Sequence, residues 1–277
     1  MSVPPPQKPR LNLAAIALLL VCVFAAALAQ SASDTPQPVS AAVVSIGVIA
    51  LDPAAGSSAP PSMAGRPASI HGSGFFVSKQ GHVITALHVL RAAERAREHM
   101  QDTDKQLIVG LRVGSSFAAV PAEVVGVDEA HDLALLRIKP PAPVRNVVRL
   151  SSARPDEGAL MEAAGLPAML AMALVTNTGH MADKVLMQPG SHLLKRPTDI
   201  DAARLAPLRE FYLADFKSEE GMSGDPVYLL DTGAVIGVVQ EYTSDPRLAV
   251  LVPARNVIKL LKSNNVSYEE LPARKPD

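Results

Sequence analysis

The chain has 277 residues, 48% of them hydrophobic, with a formal net charge of −1 and a single cysteine, Cys22. That length buries a real core in one large domain or two small ones. No basic stripe interrupts the near-neutral balance, so nucleic-acid binding has no electrostatic support, and 4% aromatic residues without a single Trp argue against a stacking platform for bases or sugars.

The N-terminus has its own character. Lys8 and Arg10 precede an apolar run of 19 residues over 11–29, broken by Asn12 and ending Ala27-Leu28-Ala29. A positive n-region, an apolar h-region and a small-x-small site read as a secretory signal peptide cut after Ala29. The alternative is an uncleaved anchor, because the run is just long enough to span a bilayer. The first reading places the protein in the periplasm or outside the cell; the second attaches it to the inner membrane, facing the periplasm. Val21 precedes Cys22 where a lipoprotein signal needs a small residue. Removing the signal leaves no cysteine, hence no disulfide scaffold, thiol enzyme or cysteine-ligated metal. It also removes Lys8 and Arg10, leaving 24 basic against 27 acidic residues and a formal charge of −3.

Residues 30–40 are rich in Ser, Pro and Ala and read as a flexible lead-in. Strands are predicted at 41–51, 73–77, 82–86, 107–113, 119–127 and 133–138, from β-branched and alternating runs. Residues 78–81 form a hairpin turn, 52–69 a long Pro/Gly/Ser loop, and 92–100 a short surface helix. The cluster Lys139-Pro140-Pro141-Ala142-Pro143 marks a linker. Beyond it, strands are predicted at 160–164, 173–178, 185–188, 211–216, 227–230, 235–240 and 249–252, with a loop at 191–207 and a terminal helix at 254–262. The count predicts an all-β chain of two antiparallel barrels, about six strands each. The expected division is 1–29 signal peptide or anchor, 30–40 lead-in, 41–139 first barrel, 140–150 linker, 151–262 second barrel with the helix, and 263–277 tail.

Three positions carry candidate chemistry. Ser223 lies in Gly221-Met222-Ser223-Gly224-Asp225-Pro226, where flanking glycines allow a tight turn that exposes the hydroxyl. His88 follows Ile84-Thr85-Ala86-Leu87, at the end of a predicted strand, a rigid platform for an imidazole. Asp132 precedes the apolar strand Leu133-Ala134-Leu135-Leu136, and a partly buried carboxylate there needs a partner such as a histidine N–H. Serine, base and acid would then meet in the crevice between the barrels.

With those residues in order, the chain resembles the chymotrypsin-fold serine peptidases, and more closely their bacterial Deg/HtrA-type branch. The likeness rests on Gly72-Ser73-Gly74-Phe75-Phe76-Val77 leading to Val83-Ile84-Thr85-Ala86-Leu87-His88-Val89, on Asp132-Leu133-Ala134-Leu135-Leu136, and on the serine hexapeptide followed by Val235-Ile236-Gly237-Val238. It covers roughly 43–261. The resemblance implies Ser223 as nucleophile, His88 as general base, and Asp132 as the residue that orients the imidazole. It also implies an oxyanion hole from the N–H groups of Gly221 and Ser223, with no metal or other cofactor. Polypeptide substrates would lie beside Val238, Val239 and Gln240, and Lys217 would contribute to the pocket floor.

Departures narrow this. Met222 stands where trypsin-type enzymes carry the acid that pairs with a new N-terminus, so cleavage activation is not supported. Asp225 replaces a frequent glycine; it would either act on His88 or face solvent. The chain ends too soon after the terminal helix for the PDZ domain that many Deg-type proteins carry. A catalytically weak, chaperone-like binding protein on the same fold is the alternative function. A metal-dependent hydrolase is disfavoured, since the seven histidines are scattered singly and no His-Glu-x-x-His occurs.

Overall fold

The structure is a computed structural model that describes residues 38–50, 68–99, 105–113, 116–166, 174–187, 209–216, 221–242 and 248–272. The expected signal peptide, most of the lead-in and of the 52–69 loop, the loop at 191–207, Lys217 and the last residues of the tail lie outside these.

The first barrel contains β1 (Val43–Ala50), β2 (Ala68–Phe76), β3 (His82–Ala86), β4 (Lys105–Val113), β5 (Ser116–Asp128) and β6 (Leu133–Ile138), closed in the order β1-β2-β3-β6-β5-β4. A turn of 3-10 helix, Val39–Ala42, leads into β1. Closure leaves no edge and buries apolar side chains on the inner face. Val44, Ile46 and Val48 alternate inward from β1 and meet Phe75, Ile84, Leu135 and Val109 in one cluster.

The second barrel begins after the proline linker. A two-residue strand, β7 (Arg149–Leu150), is followed by β8 (Leu160–Gly165), β9 (Val175–Met187), β10 (Arg209–Ala214), β11 (Pro226–Leu229), β12 (Ala234–Tyr242) and β13 (Ala249–Pro253). The order β11-β8-β9-β10-β13-β12 closes through the pairing of β12 with β11, giving a second six-stranded ring. Beside it, β7 pairs in parallel with both β12 and the short β14 (Glu269–Glu270). The all-β, two-barrel, chymotrypsin-like fold expected from the sequence is therefore present.

Among the described residues, two α-helices complete it. α1 (Leu87–His99) follows β3 without a break and buries Leu87, Val89, Leu90 and Ala93. α2 (Ala254–Ser263) starts after Pro253 and buries Val257, Ile258, Leu260 and Leu261. The same cluster that fills the first barrel also takes in Val235, Val238, Val250 and Val252 from the second, so the two barrels share packing.

Three expectations need correction. The helix expected at 92–100 begins at Leu87, so His88 sits in its first turn rather than at a strand end. The two strands expected at 173–178 and 185–188 are one continuous β9, because β8 and β10 pair with it on either side and carry it through polar residues at its centre. β2 starts at Ala68, extending into the expected loop, because β1 supplies a partner as far as Ile49.

Candidate active site

The register of β3 on β6 sets the first half of the site. Ala86 pairs with Leu133, so the residues just after β3 and just before β6 are neighbours. Three hydrogen bonds exploit this. Leu87 donates its N–H to the Asp132 carbonyl (2.8 Å), His88 donates its N–H to Asp132 Oδ1 (2.9 Å), and His88 Nδ1 meets Asp132 Oδ2 at 2.6 Å. The first turn of α1 has no acidic residue of its own. Asp132 supplies one from the start of the neighbouring strand, and its charge suits the positive end of the helix. With Nδ1–H donating to the carboxylate, Nε2 is the ring nitrogen left to accept a proton. The His88 and Asp132 side chains are 25% and 16% exposed.

Asp132 adopts a left-handed backbone, φ 53°. Asp tolerates this better than most residues, at a cost of roughly 1–2 kcal/mol. The preceding turn supports it. His131 donates its N–H to Asp128 Oδ1 (3.2 Å), and its Nδ1 meets Asp128 Oδ2 at 2.7 Å. Burial alone would raise the Asp128 pKa. The hydrogen bonds and charge of His131, with the N–H of Ala130, outweigh that and hold it below the usual carboxylate range.

The second half is the turn that carries Ser223, the candidate nucleophile. Gly221 and Gly224 have φ of +94° and +90°, values that side chains rarely adopt. A Cβ at Gly224 would also fall 2.1 Å from the Ser73 carbonyl oxygen, so β2 passes directly beneath the turn. Ser73 N–H donates to the Ser223 carbonyl (3.0 Å), Gly224 N–H donates to Val239 O (2.8 Å), and Val239 N–H donates to Asp225 O (2.9 Å). Met222 is fully buried in the second barrel's own core, where it anchors the turn. Neither Gly221 N–H nor Ser223 N–H enters a backbone hydrogen bond among the described residues.

The Ser223 hydroxyl donates to the main-chain carbonyl of Gln240 (2.9 Å) and not to His88. Gln240 is fully buried, and its Nε2 donates to the Asp132 carbonyl (3.3 Å). One residue thus touches both the serine and the acid. The sequence had offered Gln240 only as part of a substrate-binding strand; nothing local distinguishes it, because its partners are distant along the chain. Val238 and Val239 do not fit that strand role. Val238 pairs with Pro226 on one side and Val252 on the other, and Val239 is bonded to the nucleophile turn and paired with Leu251. Both lie inside the barrel, and the edge open to an incoming strand starts no earlier than Gln240. Of the two expectations for Asp225, the solvent-facing one fails, since the residue is fully buried; among the described residues no charged group acts on its carboxyl. Among the described residues no cluster of three His, Cys, Asp or Glu side chains is placed to hold a metal ion.

A family model for the trypsin-like peptidase domain matches residues 72–238. Among curated proteins, the chain is 29% identical over 188 residues to the uncharacterized protein y4bJ of Sinorhizobium fredii, covering 68% of this chain and 24% of the relative. It is 30% identical to serine protease HTRA1 of Xenopus tropicalis (60% of this chain, 30% of the relative) and 28% identical to mitochondrial serine protease HTRA2 of Bos taurus (74% and 37%). It therefore spans about a quarter to a third of the length of these relatives. Among solved structures, the HtrA-type protease AlgW with a decapeptide superimposes with a TM-score of 0.58 at 20% identity, over 82% of this chain and 65% of that one. The MamO protease domain of Magnetospirillum magneticum gives 0.54 at 19% identity, over 80% and 97%. These structural likenesses speak to the fold. The family match spans more than half of the chain and takes in all three candidate catalytic positions; the chain belongs to the trypsin-like peptidase domain family.

Proposed function

We propose that the chain is a serine endopeptidase that cuts polypeptides through Ser223, His88 and Asp132. The observation that carries this is the grip of Asp132 on His88 Nδ1 at 2.6 Å, which fixes the tautomer a general base requires. Catalysis starts with rotation of the Ser223 hydroxyl from Gln240 O to His88 Nε2. Breaking one neutral hydrogen bond while making another costs about 1 kcal/mol or less. Ser223 Oγ then attacks the scissile carbonyl carbon as its proton passes to Nε2. The oxyanion that forms is met by the N–H groups of Gly221 and Ser223, each worth roughly a hundredfold or more in rate. His88 gives the proton to the leaving amine, leaving an acyl-serine ester. Water, deprotonated by the same nitrogen, hydrolyses the ester and restores the serine.

The N-terminal segment supports action after export, in the periplasm or outside the cell, with a mature start at Gln30. Mass measurement of the N-terminus from expressing cells checks this; an intact segment indicates the membrane-anchored form instead.

One observation favours a second reading, a polypeptide-binding protein with little or no turnover. It is the Ser223 proton resting on Gln240 O. A fluorophosphonate probe separates the two. Covalent labelling of folded protein at Ser223, abolished in Ser223→Ala, is expected for the peptidase. A folded sample that takes no label overturns it and leaves the binding reading.

A further inference from the structure

Asp225 lies two residues past Ser223 and has no part in that scheme. It is the acid in a fully buried set otherwise made of Ser, Thr, Gln and Asn among the described residues. Neither carboxyl oxygen has a hydrogen-bond partner of ordinary geometry there. Its carboxyl lies flat against Gly165, the last residue of β8: a Cβ at Gly165 would fall 2.0 Å from Asp225 Oδ2. The next residue, Leu166, donates its N–H to Ser73 Oγ (2.9 Å). Ser73 in turn accepts from Thr85 Oγ1 at its carbonyl (2.6 Å) and donates its N–H to the Ser223 carbonyl (3.0 Å). The carboxyl, the end of β8 and the strand beneath the nucleophile therefore meet at one point.

We propose that Asp225 is a positioning residue whose carboxyl, wedged between the end of β8 and Ser73, sets how the nucleophile turn sits on the first barrel and hence how Ser223 approaches His88. This rests on the reading of Ser223 as the nucleophile. Burial pushes the Asp225 pKa well above the ordinary carboxylate range, and the Ser73 hydroxyl alone opposes the rise. Gly165 lies against the carboxyl, Ser73 Oγ faces it while accepting from Leu166 N–H, and Val239 N–H holds the Asp225 main-chain carbonyl; none of these is titratable at working pH, and among the described residues no charged side chain acts on the carboxyl. Ser73 Oγ spends one lone pair on Leu166 N–H, which leaves a second lone pair and its own proton. A protonated carboxyl can both donate to and accept from that hydroxyl, whereas an ionised one can only accept. The neutral acid is thus the form that holds the wedge. Ionisation at high pH puts an unpaired charge beneath the turn and slows Ser223.

Fluorophosphonate labelling of the full chain across pH 5 to 10, with Asp225→Asn and Asp225→Ala, tests this. Folded Asp225→Ala is expected to label on the order of ten- to a hundredfold more slowly, through the maximal rate and not the reagent's affinity. Asp225→Asn, neutral and of the same shape, is expected near the wild-type rate at neutral pH and without the wild-type alkaline decline. A folded Asp225→Ala as fast as wild type overturns the proposal, as does an Asn variant that keeps that decline. Where the Ala variant fails to fold, the Asn profile alone decides. Wild-type protein that takes no label removes the nucleophile reading instead, and the buried neutral acid is then read from unfolding. A raised folded pKa gives stability that is full below about pH 4, the unfolded value, and lost as pH rises towards the folded one. Wild-type stability relative to Asp225→Asn is therefore expected to fall as pH rises from about 4. A difference that stays constant with pH means the carboxyl is charged when folded and overturns the wedge.

Discussion

The two halves of the candidate site are held in different ways. On the first barrel, both carboxylate oxygens and the carbonyl of Asp132 are taken by the first turn of α1, so helix, acid and imidazole lock together. On the second barrel, the Ser223 backbone is fixed by β2 and β12, yet its hydroxyl has a resting acceptor in Gln240 O. In the proposed scheme His88 is set in advance as the base, and Ser223 keeps one rotation in reserve. A fold that gives the same carboxylate a structural and a chemical task ties the base to the stability of the barrel. The serine carries no such tie through its side chain.

The largest expected effect comes from breaking the locked half. Asp132→Asn should lower the labelling rate or peptide hydrolysis by about 10⁴-fold, because an amide favours the wrong imidazole tautomer. Its Oδ1 can still accept from the α1 backbone, so stability should change little. Asp132→Ala should lose the same activity and also the helix acceptor, at about 0.5–2 kcal/mol, which is a few degrees in melting temperature for a chain of this size. Equal melting of the Asn and Ala variants would mean that the link to α1 has no structural weight. His88→Ala, which removes a partly exposed ring outside the barrel cores, should be inactive with nearly unchanged stability.

Breaking the backbone of the other half should show mostly as instability. Gly224→Ala meets a left-handed φ and a carbonyl oxygen 2.1 Å away. Strain and overlap each cost about 1–3 kcal/mol. A variant that melts within a degree of wild type would show that β2 can move away from the turn.

The wedge beneath that turn offers a reciprocal test. Gly165→Ala places a methyl against a buried carboxyl, so the single change should cost about 1–3 kcal/mol by overpacking. Asp225→Gly in the same chain should recover much of that loss, with a coupling of about 0.5–3 kcal/mol in a double-mutant cycle measured by urea unfolding. Additive effects would show that the two residues do not press on each other.

These contacts also mark what the sequence could reveal. Ser223, His88 and Asp132 were legible because each sits at the end of a local pattern: glycines around a serine, or an apolar run that stops. The two barrels were legible from strand count and the proline break. Less legible was anything decided by a distant partner. Gln240 reaches Asp132 across 108 positions and Ser73 reaches Leu166 across 93, and no local spacing encodes either. The same holds for β9, which reads as two strands until two neighbours pair along its length, and for β7 and β14, too short to show a period. α1 hid its start because Leu87 to Leu90 continues the apolar run of β3.

The smallest effect separates two carboxylates that flank the site with opposite pH signs. Asp128 is held below the usual range by His131, where Asp225 is pushed above it by burial. A depressed folded pKa contributes stability that is present above the unfolded value, near pH 4, and lost as pH falls through the folded value. Asp128→Asn should therefore cost about 1 kcal/mol or less near pH 7, the scale of one partly exposed hydrogen-bonded pair, and nothing once acid has protonated both states of the wild type. The variant should label more slowly than wild type if the Asp128–His131 turn holds Asp132 in its left-handed conformation. Urea unfolding at pH 7 and at pH 3 measures the first point and labelling at pH 7 the second. Stability that falls while labelling is unchanged would mean that Asp132 keeps its φ of 53° through its bonds to α1 alone, which would place the whole of the locked half on the helix side.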